Sequence, residues 1–98
     1  MNLRKEAKDR ECQVNILDHC NNNPDTVVLA HPNNKRLFKC GMSMKVPDIF
    51  GAYCCSSCHD VIDGRQTTGW TDAQILIWFH EGIFKTQHIL LDEGKIKI

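Results

Sequence analysis

With 98 residues, 12 basic and 12 acidic side chains, the chain is sized for one domain. It carries no net charge, which excludes a global basic field that would draw in nucleic acid from a distance. The charged stretch Met1 to Glu11 lacks the apolar core and small-residue cleavage site of a secretory signal, and no stretch reaches the length of a membrane span. Six cysteines then point to metal ligation in reducing cytoplasm rather than to a disulfide framework.

Residues 1–11 are expected to form a charged arm or short helix. Residues 12–30 alternate loosely between apolar and polar, with turn signals at Asn21-Asn22-Asn23-Pro24-Asp25. Thr26-Val27-Val28-Leu29-Ala30 has the β-branched content and length of a strand. From His31 to Pro47 the chain is loop-like and holds Lys35, Arg36, Lys39 and Lys45 with no acidic residue, a local patch that can grip phosphates. Ile49-Phe50-Gly51-Ala52-Tyr53 predicts a second short strand. A helix capped by Ser56 or Ser57 then runs through Asp63 and stops at Gly64.

Thr71-Asp72-Ala73-Gln74 has the form of a capping box and opens the strongest helix, which runs toward Leu91 or Asp92 with Gly94 beyond it. Gly82 lies inside this pattern, where glycine favours a kink or a split. Ile75, Leu76, Ile77, Trp78, Phe79, Ile83 and Phe84 cover most of the circumference, which predicts burial on more than one side. Such a helix either crosses the core or meets a second copy of itself in a homodimer. Aliphatic residues are concentrated in this last third, so the rest of the chain needs another source of stability.

Cys55-Ser56-Ser57-Cys58 supplies one candidate source, because two-residue spacing lets two sulfurs reach one tetrahedral Zn²⁺ from a tight turn. Cys12 and Cys20 are the expected second pair, although seven residues separate them instead of two. Cys54 is read as a buried bystander, since adjacent cysteines seldom share a tetrahedral ion. Cys40 is an alternative to Cys12 or Cys20. Cys55-x-x-Cys58-His59 also matches the attachment signature of c-type haem, which needs an exported chain and leaves Cys12 and Cys20 unexplained. A thioredoxin-like redox pair would need a βαβ setting that is missing here.

His59 and Asp63 are four apart and share a helix face, where they can hold a divalent ion or form an ordinary acid–base pair. His31 ends the first strand. The order of strand, histidine, loop, strand, CxxCH and helix with a second ligand suits phosphodiester hydrolysis, with a base on a strand and a metal on a helix.

Arg10 to Val14, Thr26 to His31, Lys45 to Asp48 and Cys55 to Asp63, in that order, resemble the small YbcO-like nucleases of phages and prophages over nearly the whole chain. They also resemble the HNH domain of the phage recombination-enhancement nuclease Ref. The resemblance implies an α+β fold of HNH (ββα-metal, His-Me finger) type with an added C-terminal helix. Residues 1–98 would then be one domain: an arm at 1–11, a zinc knuckle and ββα site at 12–70, and the helix at 71–93. It implies a metal-dependent DNA endonuclease in the bacterial host cytoplasm, with a recombinase or other phage recombination protein as the candidate partner. In that scheme His31 is the general base, and His59 and Asp63 hold catalytic Mg²⁺ or Mn²⁺. Asp63 stands where many relatives have histidine, and Ala30 stands where a further ligand is common. Asp48 is the nearest candidate for orienting His31, while Lys45 or Arg65 compensates charge on the phosphate. A non-catalytic zinc module that binds DNA or a recombination or replication protein is the competing reading. A dimer built on the apolar helix is the third.

Overall fold

A computed structural model describes residues 2–32 and 46–97. Lys35, Arg36, Lys39, Cys40 and Lys45 lie outside the described residues, as does most of the basic loop. Among the described residues the architecture is α+β, with a two-stranded antiparallel sheet and two α-helices.

The arm forms a single 3₁₀ turn at Lys5–Ala7, and the Asn2 side-chain oxygen accepts from the N–H groups of Arg4 and Lys5 at its start. The first strand, β1, is Val28–Ala30, two residues shorter at its start than the pattern predicts. Pro24 opens a 3₁₀ turn at Pro24–Thr26, and the Asn23 side chain caps it by accepting from the Asp25 N–H. Proline's fixed φ suits a first helical position, so local turn chemistry wins over the β-propensity of Thr26. The second strand, β2, is Ala52–Cys54; Ile49 and Phe50 belong instead to a 3₁₀ turn at Asp48–Phe50. The register pairs Val28 with Cys54, Leu29 with Tyr53 and Ala30 with Ala52.

Helix α1 spans Ser56–Ile62 and helix α2 spans Asp72–Asp92. The Thr71 hydroxyl accepts from the Gln74 N–H and caps α2 as its sequence predicts. Gly82 neither kinks nor splits this helix, which is continuous across it. A Cβ at Gly82 would lie 2.7 Å from Val14 Cγ2, so the glycine lets α2 press directly against the segment before β1. Four residues on, the buried Thr86 hydroxyl donates to the Gly82 carbonyl and accepts from the Tyr53 N–H at 3.0 Å. The Gln13 N–H donates to the Tyr53 carbonyl at 2.8 Å. The outer edge of β2 is thus covered by one side chain and one backbone group, which prevents an open strand edge.

Buried positions on α2 are Phe79, Gly82, Ile83, Thr86 and Leu90, a single stripe at helical spacing. Within one chain the helix therefore buries a single side and does not cross the core, and the alternative of a second copy covering its other side is left to the solution mass. Leu76, Ile77 and Phe84 are exposed, Phe84 by 70%. Trp78 is half-buried and packs edge-on against Trp70 at 5.1 Å. The core also draws on Val14, Ile16, Val27, Leu29 and Tyr53, so the first two-thirds of the chain contribute apolar burial as well as thiols.

The two ends of the chain are clasped together. Arg10 makes a two-pronged contact with Glu93 at 2.6 and 2.9 Å and also reaches Glu6 at 3.3 Å, while Lys95 binds Glu6 and Glu93. The Arg10 guanidinium lies 5.1 Å above the Tyr53 ring, whose hydroxyl donates to the Leu3 carbonyl.

Candidate metal centre and histidine–carboxylate pairs

Two segments bring four thiols to one point. Gln13 is tied to β2, and Val14 and Ile16 are buried, which fixes the chain directly after Cys12. The chain then turns back so that the His19 and Cys20 N–H groups donate to the Ile16 carbonyl, presenting Cys20. Cys55 caps α1 by accepting from the Cys58 N–H at 3.4 Å, in place of the predicted Ser56 or Ser57. Those serine hydroxyls accept from the Asn21 side chain instead, joining the start of α1 to the segment that follows Cys20.

The ligand sulfurs of Cys12, Cys20, Cys55 and Cys58 all lie within 4.8 Å of one another. Tetrahedral zinc with Zn–S bonds near 2.3 Å requires sulfurs about 3.8 Å apart, so modest contraction would close the set on one ion. Backbone N–H groups of Asn15 and Ile16 already point at the sulfurs of Cys12 and Cys58, at 3.5 and 3.4 Å. Such donors stabilise thiolate charge. Among the described residues every cysteine is free.

Cys54 stays outside this set, fully buried, with its thiol donating to the Cys55 carbonyl. The crowded sulfurs compete for protons. Hydrogen bonds from Cys54 and Cys58 push Cys12 down, and contact with Cys12 pushes Cys54 and Cys58 up. Burial raises Cys20 to about 11. A divalent ion would supply the positive charge that lets all four ligands deprotonate together.

At the end of β1, His31 is half-buried, and its Nε2 lies 2.7 Å from Asp48 Oδ1. The same oxygen accepts from Arg4 Nε at 3.3 Å. His31 and then Arg4 hold the Asp48 carboxyl below its usual range through hydrogen bonding. A carboxylate can only accept here, so Nε2 carries a proton, and the Nδ1 side of the ring is the one left for a lone pair. Arg4 escaped the sequence reading, because nothing in a charged arm signals a contact with a residue 44 positions away.

On α1, His59 Nε2 lies 3.3 Å from Asp63 Oδ2. Arg65 covers this pair, with its guanidinium 3.1 Å from Asp63, 3.5 Å from His59 Nδ1 and 3.0 Å from Asp60. It is engaged by carboxylates rather than free to meet an anion. The pair offers one imidazole nitrogen and one carboxylate, which could close only part of a divalent ion's coordination shell. Among the described residues, no hydrogen bond or ion pair joins His31 and Asp48 to His59 and Asp63. Among the described residues, too, no helix is long and apolar enough to cross a membrane.

Comparison with known proteins places the chain among relatives. The family model described as "Putative nuclease YbcO" matches residues 1–95. Proteins of that name from Escherichia coli (strain K12) and Enterobacteria phage 82 are each 46% identical over 98 residues, spanning 97% of this chain and 96% of their own length. A solved structure described as "a putative bacteriophage protein" from Escherichia coli K-12 MG1655 superposes with a TM-score of 0.74 at 44% identity, over 95% of this chain and 100% of that one. The fold, the thiol cluster and both histidine pairs thus lie within a segment shared almost end to end, and the chain belongs to the YbcO family.

Proposed function

We propose that the chain is a DNA endonuclease of the HNH, ββα-metal type that hydrolyses phosphodiester bonds, with a structural zinc on Cys12, Cys20, Cys55 and Cys58. The observation that supports it best is the 2.7 Å pairing of His31 with Asp48 at the end of β1, in a family whose name carries a nuclease designation.

His31 Nδ1 takes a proton from the water that attacks phosphorus. Asp48 keeps the proton on Nε2 and fixes the ring plane, and Arg4 holds Asp48 in turn. His59 and Asp63 would hold Mg²⁺ or Mn²⁺, which would supply Lewis-acid stabilisation of the charge that develops during phosphodiester hydrolysis. Lys35, Arg36, Lys39 and Lys45 grip flanking phosphates, which makes binding salt-sensitive. Ala30 offers no ligand atom, so the His59–Asp63 pair binds its ion weakly.

One observation favours the competing reading of a zinc module that binds DNA or a recombination protein without cutting it. Arg65 already neutralises the pair on which catalysis depends. Cleavage of supercoiled and single-stranded DNA, with and without Mg²⁺ or Mn²⁺, separates the two readings. Metal-dependent cutting that disappears in His31→Ala, with zinc content and DNA affinity retained, is the expected result. Wild-type protein that binds DNA but stays inert with every ion, even beside a recombinase filament, supports the module.

A further inference from the structure

The proposed ligand pair carries its own cation. Gly64, at φ +77°, reverses the chain directly after α1, and the Arg65 and Gln66 N–H groups donate to the Asp60 carbonyl. This tight reversal returns Arg65 over the helix end it has just left. Its guanidinium then spans Asp60 and Asp63 and donates to His59 Nδ1.

We propose that Arg65 is a built-in counter-cation of the His59–Asp63 pair, occupying the electrostatic place of a divalent ion and lowering the affinity of the pair for that ion. This rests on the reading of His59 and Asp63 as ligands and adds a regulator to it. The charges make the exchange reasonable. Asp60 and Asp63 contribute two negative charges, Arg65 offsets one, and a divalent ion beside Asp63 would face that guanidinium at short range. The backbone of Arg65 is held by Asp60, so only the side chain has to move. That side chain is 58% exposed, whereas Asp63 is 23% exposed, so the arginine can swing into solvent while the carboxylate stays in place. A released guanidinium is then available to an anionic oxygen, and a fork of N–H donors suits phosphate. Ion entry and phosphate capture are thereby coupled through one side chain.

The test is Mn²⁺ binding to zinc-loaded protein, read from the electron paramagnetic resonance signal of free Mn²⁺, with no activity measurement needed. Arg65→Ala and Arg65→Gln are expected to bind Mn²⁺ roughly two- to fivefold tighter than wild type, the scale of a partly exposed ion pair. Lys8→Ala removes an equal charge from the distant arm and is expected to leave affinity unchanged. Asp63→Asn is expected to abolish the site. Unchanged or weaker binding in both Arg65 variants overturns the proposal. If Asp63→Asn nevertheless loses the ion, the ligand assignment stands and only the role of Arg65 fails. Equal tightening in Lys8→Ala reduces the effect to net charge and also overturns it. Absence of Mn²⁺ binding in every variant removes the ligand pair and its counter-cation together.

Discussion

Asp48 Oδ1 accepts from two directions at once, 2.7 Å from His31 Nε2 and 3.3 Å from Arg4 Nε. One carboxylate oxygen therefore links the end of β1 to the N-terminal arm, and the arm is held by the clasp of Arg10, Glu6, Glu93 and Lys95. If His31 is the base, its orientation depends on residues from three distant parts of the chain. His31→Ala should lower the DNA cleavage rate about a hundredfold to ten-thousandfold, the usual cost of losing a general base. Asp48→Asn should lower kcat with little change in KM, because the ring remains while its tautomer is no longer enforced. Arg4→Ala should have a smaller effect in the same direction, and Arg4→Lys should restore part of it. Single-turnover rates on supercoiled DNA, alongside zinc content for each variant, decide these outcomes.

The thiol cluster predicts about one zinc per folded chain. Structural zinc contributes roughly 10–16 kcal/mol in small domains, comparable to or above the roughly 5–15 kcal/mol of net stability such domains possess. Cys55→Ser and Cys58→Ser should therefore fail to fold, and chelation should unfold the wild type. Cys54→Ser should cost only about 1 kcal/mol, since serine keeps a donor for the Cys55 carbonyl. Each ligand must lose a proton, so zinc affinity should fall as pH falls. Metal analysis and thermal melts check this, and well-folded protein free of zinc would refute it.

The clasp makes a prediction about acid. Arg10, and then Lys95, hold the Glu93 carboxyl down at about 2, against an ordinary value of 4.5. A depressed carboxylate contributes stability above its unfolded value and loses that contribution as pH falls through the folded value. The difference in melting temperature between wild type and Glu93→Gln should therefore be present above pH 4.5 and vanish as pH approaches 2. It should also shrink in high salt, because these groups are solvent-screened. A difference that does not vary with pH would mean Glu93 acts through packing alone.

Helix α2 presents two chemically similar faces with different fates. Phe79 is 4% exposed and Phe84 is 70% exposed. Phe79→Ala should cost about 3–5 kcal/mol, whereas Phe84→Ala should change monomer stability by no more than about 0.5 kcal/mol. A homodimer through Leu76, Ile77 and Phe84 would make Phe84→Asp halve the mass seen by light scattering without unfolding the chain. Unchanged mass in that variant leaves α2 as a one-sided core helix.

Much of this architecture was legible from local signals. Thr71 and Gln74 mark the start of α2 because a hydroxyl three residues before a free N–H is a local device. Cys55 and Cys58 mark the turn before α1 by their spacing, and both strands follow from their apolar runs, although a 3₁₀ turn takes Thr26 from the first run and Ile49 and Phe50 from the second. Proline and aspartate at those turns act through the neighbouring backbone, and they compete with β-propensity on nearly equal terms.

Sequence alone therefore determined the features whose causes lie within a few residues, the Thr71 cap, the cysteine spacing and the strand order, together with the family likeness carried by its motifs. Tertiary structure alone decided which side of α2 is buried and that Arg4 holds Asp48, and it brought the four thiols named from the sequence to one point. The physical reason differs for each. An apolar residue such as Phe84 has the same hydropathy as Phe79, and only the direction of a neighbouring surface distinguishes them. Cys12 and Cys20 lack the usual spacing and meet Cys55 and Cys58 because Gln13 is hydrogen-bonded to Tyr53 and the chain turns back at Ile16. Ion pairs across 44 residues leave no periodicity in a sequence, since long charged side chains find partners through the fold rather than through their neighbours along the chain.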